Sequence, residues 1–144
     1  MIRDEFCSAT ADWHHDNADI RMIRERVFVV EQRVPAHEEW DDQDELSAHL
    51  LARTAKRDAV GTGRLQPDGK ITRMAVLEDW RGKGVGEALL EALIVAAVRQ
   101  GAAIPWLHAQ VSAIGFYERF GFATDGNPFD EAGIPHCLMR MTRT

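Results

Sequence analysis

Apolar positions along this chain follow two periods, and the switches between them divide it into elements. Ile2 to Thr10 reads as a short opening strand. Ile20, Ile23, Val27, Phe28 and Val30 then recur at near-helical spacing, which predicts a helix from a cap at Asp16 or Asn17 to about Glu31 with those residues on its buried face. Val34-Pro35 stops it, because a proline disfavours helical backbone in the residue before it. Glu38 to Glu45 is strongly acidic and predicts a connection, followed by a strand from Leu46 to Arg53. Asp58 marks a turn into a strand from Ala59 to Gln66, and Pro67-Asp68-Gly69-Lys70 is a hairpin signal leading into Ile71 to Leu77. Helical spacing returns between Gly84 and Gln100, with Val85, Leu89, Leu90, Leu93, Ile94 and Ala97 as the buried face and Gly101 as the C-terminal cap. A strand from Ile104 to Ala109, a short helix from Ala113, and strands near Phe122 and from Ile134 to Met141 close the chain. An antiparallel half, a crossover helix and a returning parallel strand make an α+β sheet domain over residues 1–144, with no repeat, linker or low-complexity tail.

Composition narrows the function classes. With 45% hydrophobic and 28% charged residues the chain is globular, and 144 residues can bury one sizeable core. The net charge of −6 argues against nucleic acid as a main partner, since phosphate binding wants a basic face. No apolar run approaches the ~20 residues of a membrane span and no signal peptide is apparent. A cytoplasmic protein with Cys7 and Cys137 as reduced thiols is therefore expected. The six histidines form no metal-ligand pattern, so no metal is expected.

Arg81-Gly82-Lys83-Gly84-Val85-Gly86 follows the strand Ile71 to Leu77 and opens the long helix. Glycines let backbone N–H groups approach a phosphate, and the first helical turn presents unpaired donors at the positive end of the dipole. Arg81 and Lys83 add charge. The turn lacks the Lys-Ser/Thr ending that places a hydroxyl on magnesium, and it lacks the third glycine and distant acid of a dinucleotide fingerprint. A pyrophosphate held by backbone amides without metal is what coenzyme A needs. A glycine-softened turn with a solvated basic pair is the other reading the six residues allow.

Two further stretches decide between these. Arg81-x-x-Gly84-x-Gly86, followed by a helix, a strand and then Ala113-x-x-Phe116-Tyr117-x-x-x-Gly121-Phe122, resembles the GNAT superfamily of acyl-CoA-dependent N-acetyltransferases. Val27 to Gln32, Val34-Pro35, Glu39-Trp40-Asp41, Asp44, His49 and Ala132-Gly133-Ile134-Pro135-His136 resemble its ElaA-like branch of small bacterial proteins, extending the likeness over nearly the whole chain. The resemblance implies a mixed, mostly antiparallel twisted sheet flanked by helices, whose central parallel strands, here Ile71–Leu77 and Ile104–Ala109, splay apart. It implies that acetyl-CoA inserts its pantetheine arm there along Met74, Ala75 and Val76, with Phe116 walling the channel and the diphosphate on Arg81 through Gly86. Gln110 stands where many members have asparagine, and bonding the coenzyme arm or capping a strand end are both open to it.

Tyr117, the one tyrosine of the chain, lies at the family's Phe-Tyr position, where a phenol can protonate a departing thiolate. The general base is harder to find. Lys70 and Thr72 occupy the positions where many members carry a carboxylate or histidine, and neither suits the task. His136 and His49 match the branch pattern and His108 sits on the strand lining the splay; each is a candidate beside the plainer role of a packed histidine. His136 is taken as the second catalytic residue. Glu31, Gln32, Glu39, Asp41, His49 and His108 are taken as acceptor-side residues. Glu38, Glu39, Asp41, Asp42, Asp44 and Glu45 form either a solvated loop or an acidic lip for a cationic acceptor. The expected reaction moves an acetyl group from acetyl-CoA to the primary amine of a small molecule, without metal, nucleic acid or membrane, and a homodimer is compatible with the sequence. A protein or peptide amine as acceptor, and an acyl-CoA-binding sensor without turnover, are the alternatives.

Overall fold

The computed structural model describes residues 6–101 and 104–142. Strand β1 is Phe6–Ala11, so the residues before it in the predicted opening strand, Ile2 to Glu5, lie outside the described residues. Helix α1 (Trp13–Arg24) starts earlier than Asp16: the Asp12 side chain accepts from the His14 amide, and Asp16 accepts from the Asp12 amide in return. This reciprocal cap fixes the start one turn upstream. The helix then runs on as a π-helix over Glu25–Glu31, with Gln32 N–H bonded to the Val27 carbonyl. The wider turn takes Val30 off the predicted face, and it is exposed while Val27 is buried and Phe28 half-buried.

A short helix α2 (Ala36–Glu39) lies at the start of the acidic stretch. Then come β2 (Ala48–Thr54), β3 (Ala59–Leu65), β4 (Lys70–Val76), α3 (Val85–Gln100), β5 (Trp106–Gln110), α4 (Ile114–Glu118), β6 (Phe122–Thr124), β7 (Phe129–Glu131) and β8 (Ile134–Met141). The strands form one sheet in the order β1-β2-β3-β4-β5-β8-β6, with β7 also on β8. All pairs are antiparallel except β4 and β5. The β7–β8 hairpin is absent from the sequence reading; its two-residue turn has Ala132 at φ 54° and Gly133 at φ 79°, and alanine there hides the turn signal that glycine or asparagine would give.

The sheet is covered on both faces. Ile20, Ile23 and Val27 pack with Leu51, Ala59 and Ala75 on one side. Val85, Leu89, Leu90, Leu93 and Ala97 of α3 pack with Leu50, Ala52, Val60 and Leu107 on the other. Leu89, Leu90 and Leu93 are wholly buried, and each contributes about 1.5–3 kcal/mol by leaving water. Gly61 and Gly63 let α3 approach β3, since a Cβ at Gly61 would lie 2.8 Å from Val85 and one at Gly63 2.7 Å from Leu93. That close seat aims the N-terminus of α3 at the end of β4.

Candidate active site

The parallel pair β4 and β5 touches only at its start, Lys70 opposite Trp106 and Ile71 opposite Leu107. Beyond those residues the strands part. On its other side β4 carries one extra residue against β3, between Thr72 and Ala75, and Arg73 there adopts φ 56°. A bulge of this kind bends the strand and re-aims its side chains. Leu77 N–H bonds the Val60 carbonyl, so by ladder alternation Ala75 turns its amide toward β3 and Val76 turns its own into the gap.

One cavity, about 350 Å³, opens at the far end of β4, between Val76, the glycine turn and Phe116. Gly82 and Gly84 stand at φ 76° and 90°, and α3 has no side-chain cap on its first turn. A Cβ at Gly86 would meet Phe116 at 3.8 Å and Val76 at 3.9 Å, narrowing this opening. Uncapped amides, left-handed glycines and open space fit a diphosphate. The charges are distributed differently from expectation. Arg81 is turned away: its Nη atoms donate to the Glu31 carboxylate at 2.5 and 2.6 Å and its Nε to the Val76 carbonyl at 3.0 Å. Arg81 thus ties the π-helix to β4, and its hydrogen bonds hold the Glu31 carboxyl below the usual carboxylate range. Lys83, over the Trp80 ring, and Arg119, over Phe116 and 3.6 Å from the Glu87 carboxylate that also lines this cavity, are the other cations beside the turn. Arg119 was missed in the sequence, although it stands one helical turn after Phe116.

A second cavity, about 540 Å³, lies on the other side of the splay. Met74, His108, Gln110, Tyr117, Glu131 and His136 line it. Tyr117 packs edge-on to Phe116 and Phe122, and burial pushes its hydroxyl up to about 12. His136 Nδ1 donates to the Ile134 carbonyl at 2.7 Å, since a carbonyl only accepts, which leaves Nε2 as an acceptor. His108 Nδ1 meets Glu131 Oε1 at 2.8 Å, and His136 Nε2 lies 3.9 Å from Glu131 Oε2. Pro135 sits one residue past the end of the β5 ladder, where no donor is required of it. Gln110 donates to Gln32 Oε1 at 3.1 Å, bridging β5 to the end of the π-helix across the gap.

The acidic stretch is a solvated loop only in part: Glu38, Asp42 and Glu45 are exposed, while Glu39, Asp41 and Asp44 are held from within. Three of its carboxylates are matched by three guanidiniums from α1, β3 and β4. Arg24 bonds Glu39 and Asp44, each at 2.7 Å; Arg64 bonds Asp41 at 2.7 Å and Asp44 at 2.8 Å; Arg73 reaches Glu39 at 3.1 Å and Asp41 at 3.2 Å. Burial pushes the Glu39 carboxyl up against the pull of Arg73 and Arg24. Burial also acts against the charge of Asp41, yet Arg64 and Arg73 hold its carboxyl below the usual range. The network pins the stretch over the second cavity, which Glu39 and Asp41 also line.

Two expected acceptor-side residues lie elsewhere. Glu31 is engaged by Arg81, outside the residues lining the cavity. His49 is buried on β2, stacked on Trp13 with ring centroids 4.9 Å apart and its Nε2 donating to the Asp44 carbonyl. A β2 residue on this face meets α1 and not the splay, so His49 supports the acidic stretch from beneath. Cys7 is exposed on β1 and Cys137 buried on β8, and neither is in a disulfide.

Known proteins share this fold. The family model for the acetyltransferase (GNAT) domain matches residues 16–143. YjcF, an uncharacterised N-acetyltransferase of Bacillus subtilis, is 39% identical over 125 residues, covering 84% of this chain and 89% of its own. Among solved structures, Escherichia coli ElaA is similar with a TM-score of 0.84 at 25% identity, covering 95% of this chain and 99% of its own. An acyl-CoA N-acyltransferase from Pseudomonas aeruginosa gives a TM-score of 0.83 at 28% identity, with coverages of 95% and 99%.

Proposed function

The chain belongs to the GNAT acetyltransferase family, and from that premise we propose that it moves an acetyl group from acetyl-CoA to the primary amine of a small molecule. The observation that carries the reading is the parting of β4 and β5 after Ile71 and Leu107, with a cavity at the glycine turn on one side and a cavity of titratable groups on the other. An extended, amide-bearing arm can lie in such a gap and satisfy strand groups left without a partner. The amides of Gly84 to Gly86, with Lys83 and Arg119, would hold the diphosphate. The coenzyme supplies a thioester, whose acyl carbon is already activated toward amines.

The chain's own groups then do three things. Val76 N–H, turned into the gap, donates to developing oxyanion charge. Tyr117, protonated throughout the neutral range because burial disfavours phenolate, donates a hydrogen to the departing sulfur. His136, fixed by the Ile134 carbonyl with Nε2 bare, takes the proton that the amine gives up. A cavity of about 540 Å³ walled by the π-helix, the acidic stretch and the β7–β8 hairpin suits a small molecule better than a protein surface.

The test is release of coenzyme thiol from acetyl-CoA against a panel of primary amines. Tyr117→Phe should lower turnover about 10²–10⁴-fold with the acetyl-CoA dissociation constant unchanged by calorimetry. Near-normal turnover in that variant would remove Tyr117 from the mechanism. Tight coenzyme binding without transfer to any amine would instead favour a non-catalytic binder.

A further inference from the structure

The acceptor cavity contains two unmatched features of opposite kind. The first is the Glu131 cluster. Glu131 stands at the hairpin tip between two imidazoles, and His108 spends its Nδ1 hydrogen on Glu131 Oε1. His136 spends its own on Ile134. What remains on the second side of Glu131 is Oε2 and, 3.9 Å away, the bare Nε2 of His136. Two acceptors at that separation have no hydrogen to share. They are complementary to a donor carrying several hydrogens and a positive charge, which describes a primary ammonium.

The second feature is Lys70. It lines the same cavity, half-buried, with its Nζ 5.2 Å from the Trp106 ring centroid. The guanidiniums of Arg64 and Arg73, which also line it, are each paired with carboxylates. Lys70 has no carboxylate within ion-pair distance among the described residues, and burial pulls its ammonium below the usual lysine value. Glu39 and Asp41 are spent on the arginines, and Glu38 is exposed at the rim. The carboxylates that act on it, Glu131 and Asp68, do so from beyond ion-pair distance and burial outweighs them, so an anionic ligand group in contact would repay the lost water.

Resting on the acetyl-transfer reading, we infer that the acceptor is an amino acid-like molecule, its ammonium held by Glu131 and His136 and its acid group by Lys70. The ammonium passes one proton to His136 Nε2 as it becomes nucleophilic. Its nitrogen then bonds to the acyl carbon, the carbon–sulfur bond breaks, and the nitrogen's second proton ends on the departing sulfur through Tyr117. Amide and thiol leave, and the proton on His136 returns to solvent.

The probes are ω-amino acids of increasing length, each compared with the alkylamine of the same length. At its best chain length an amino acid should exceed its matched amine at least tenfold in kcat/KM. Lys70→Met should abolish that preference by lowering kcat/KM for the amino acid at least tenfold more than for its matched alkylamine, and Lys70→Arg should keep it. Glu131→Gln should lower kcat/KM for both classes with acetyl-CoA affinity intact. Alkylamines used as well as amino acids, or a preference that survives Lys70→Met, would overturn the inference while leaving acetyl transfer standing. Calorimetric binding of the same amino acids separates the two ideas from the other direction. Binding lost in Lys70→Met and Glu131→Gln, without transfer in the wild type, would keep this site and reject the reaction; no binding to the wild type and no transfer would reject the site.

Discussion

The two ends of the site are made of different material. At the proposed coenzyme end, left-handed glycines, an uncapped helix turn and the Val76 amide offer the donors, and Arg81 is turned onto Glu31. At the proposed acceptor end almost everything is side chain, brought from the π-helix, the acidic stretch, β3, β4, β5, α4 and the β7–β8 hairpin. A backbone site is local, because a few consecutive residues close on themselves. A side-chain site is only as good as the packing that brings distant elements together, so its integrity depends on the fold as a whole.

The strongest way to break this contrast is through the arginine–carboxylate network. Arg24→Met removes a wholly buried guanidinium and leaves Glu39 and Asp44 short of a partner. Removing one member of a buried pair costs about 3–5 kcal/mol, which urea denaturation would register. In the molecules that stay folded, acetyl-CoA affinity should hold while acceptor use collapses. A matching loss of coenzyme affinity would mean the two ends are not separate.

A smaller effect is expected at the glycine turn. Gly84→Val puts a β-branched residue at φ 90° and displaces the first amides of α3, at a backbone cost of about 1–3 kcal/mol. We expect at least a tenfold weaker acetyl-CoA complex by calorimetry. Lys83→Ala, the loss of one exposed cation, should weaken it only a few-fold. Equal losses in the two variants would give the phosphate to side chains.

The smallest effect sharpens the contrast by pH. Burial pulls the His49 imidazole below its ordinary value of 6.5, so the unfolded chain binds its proton more readily than the folded one. Stability should therefore fall as pH drops from about 6.5 toward the lower, folded value, and be fully present above that window. His49→Gln keeps a donor toward the Asp44 carbonyl but cannot titrate, so its thermal midpoint should depend less on pH across the window. An unchanged pH dependence would show that His49 contributes nothing to it.

Much of the fold was legible because it repeats locally. The α3 stripe from Val85 to Ala97, the turn at Pro67 to Lys70 and the strands on either side announce themselves through period and turn chemistry. The π-helix did not, because the apolar spacing from Ile20 to Phe28 fits an ordinary helix and only the contacts beyond it widen the turn. The start of α1 was missed because Asp12 and Asp16 can each cap, and only their mutual bonds choose between them.

By itself the sequence determined the glycine turn, the crossover helix and the family likeness, since each rests on residues a few positions apart. It also singled out Tyr117 and His136, without the partners that give them roles. Only the tertiary structure decided that Arg81 serves Glu31, that Arg24, Arg64 and Arg73 pair with Glu39, Asp41 and Asp44, that His49 is core, and that Glu131 lies between His108 and His136. The reason is physical. A charge's effect depends on what stands within a few ångströms of it and how much water is left there, and for residues 23 or 50 positions apart the packing of the sheet sets both.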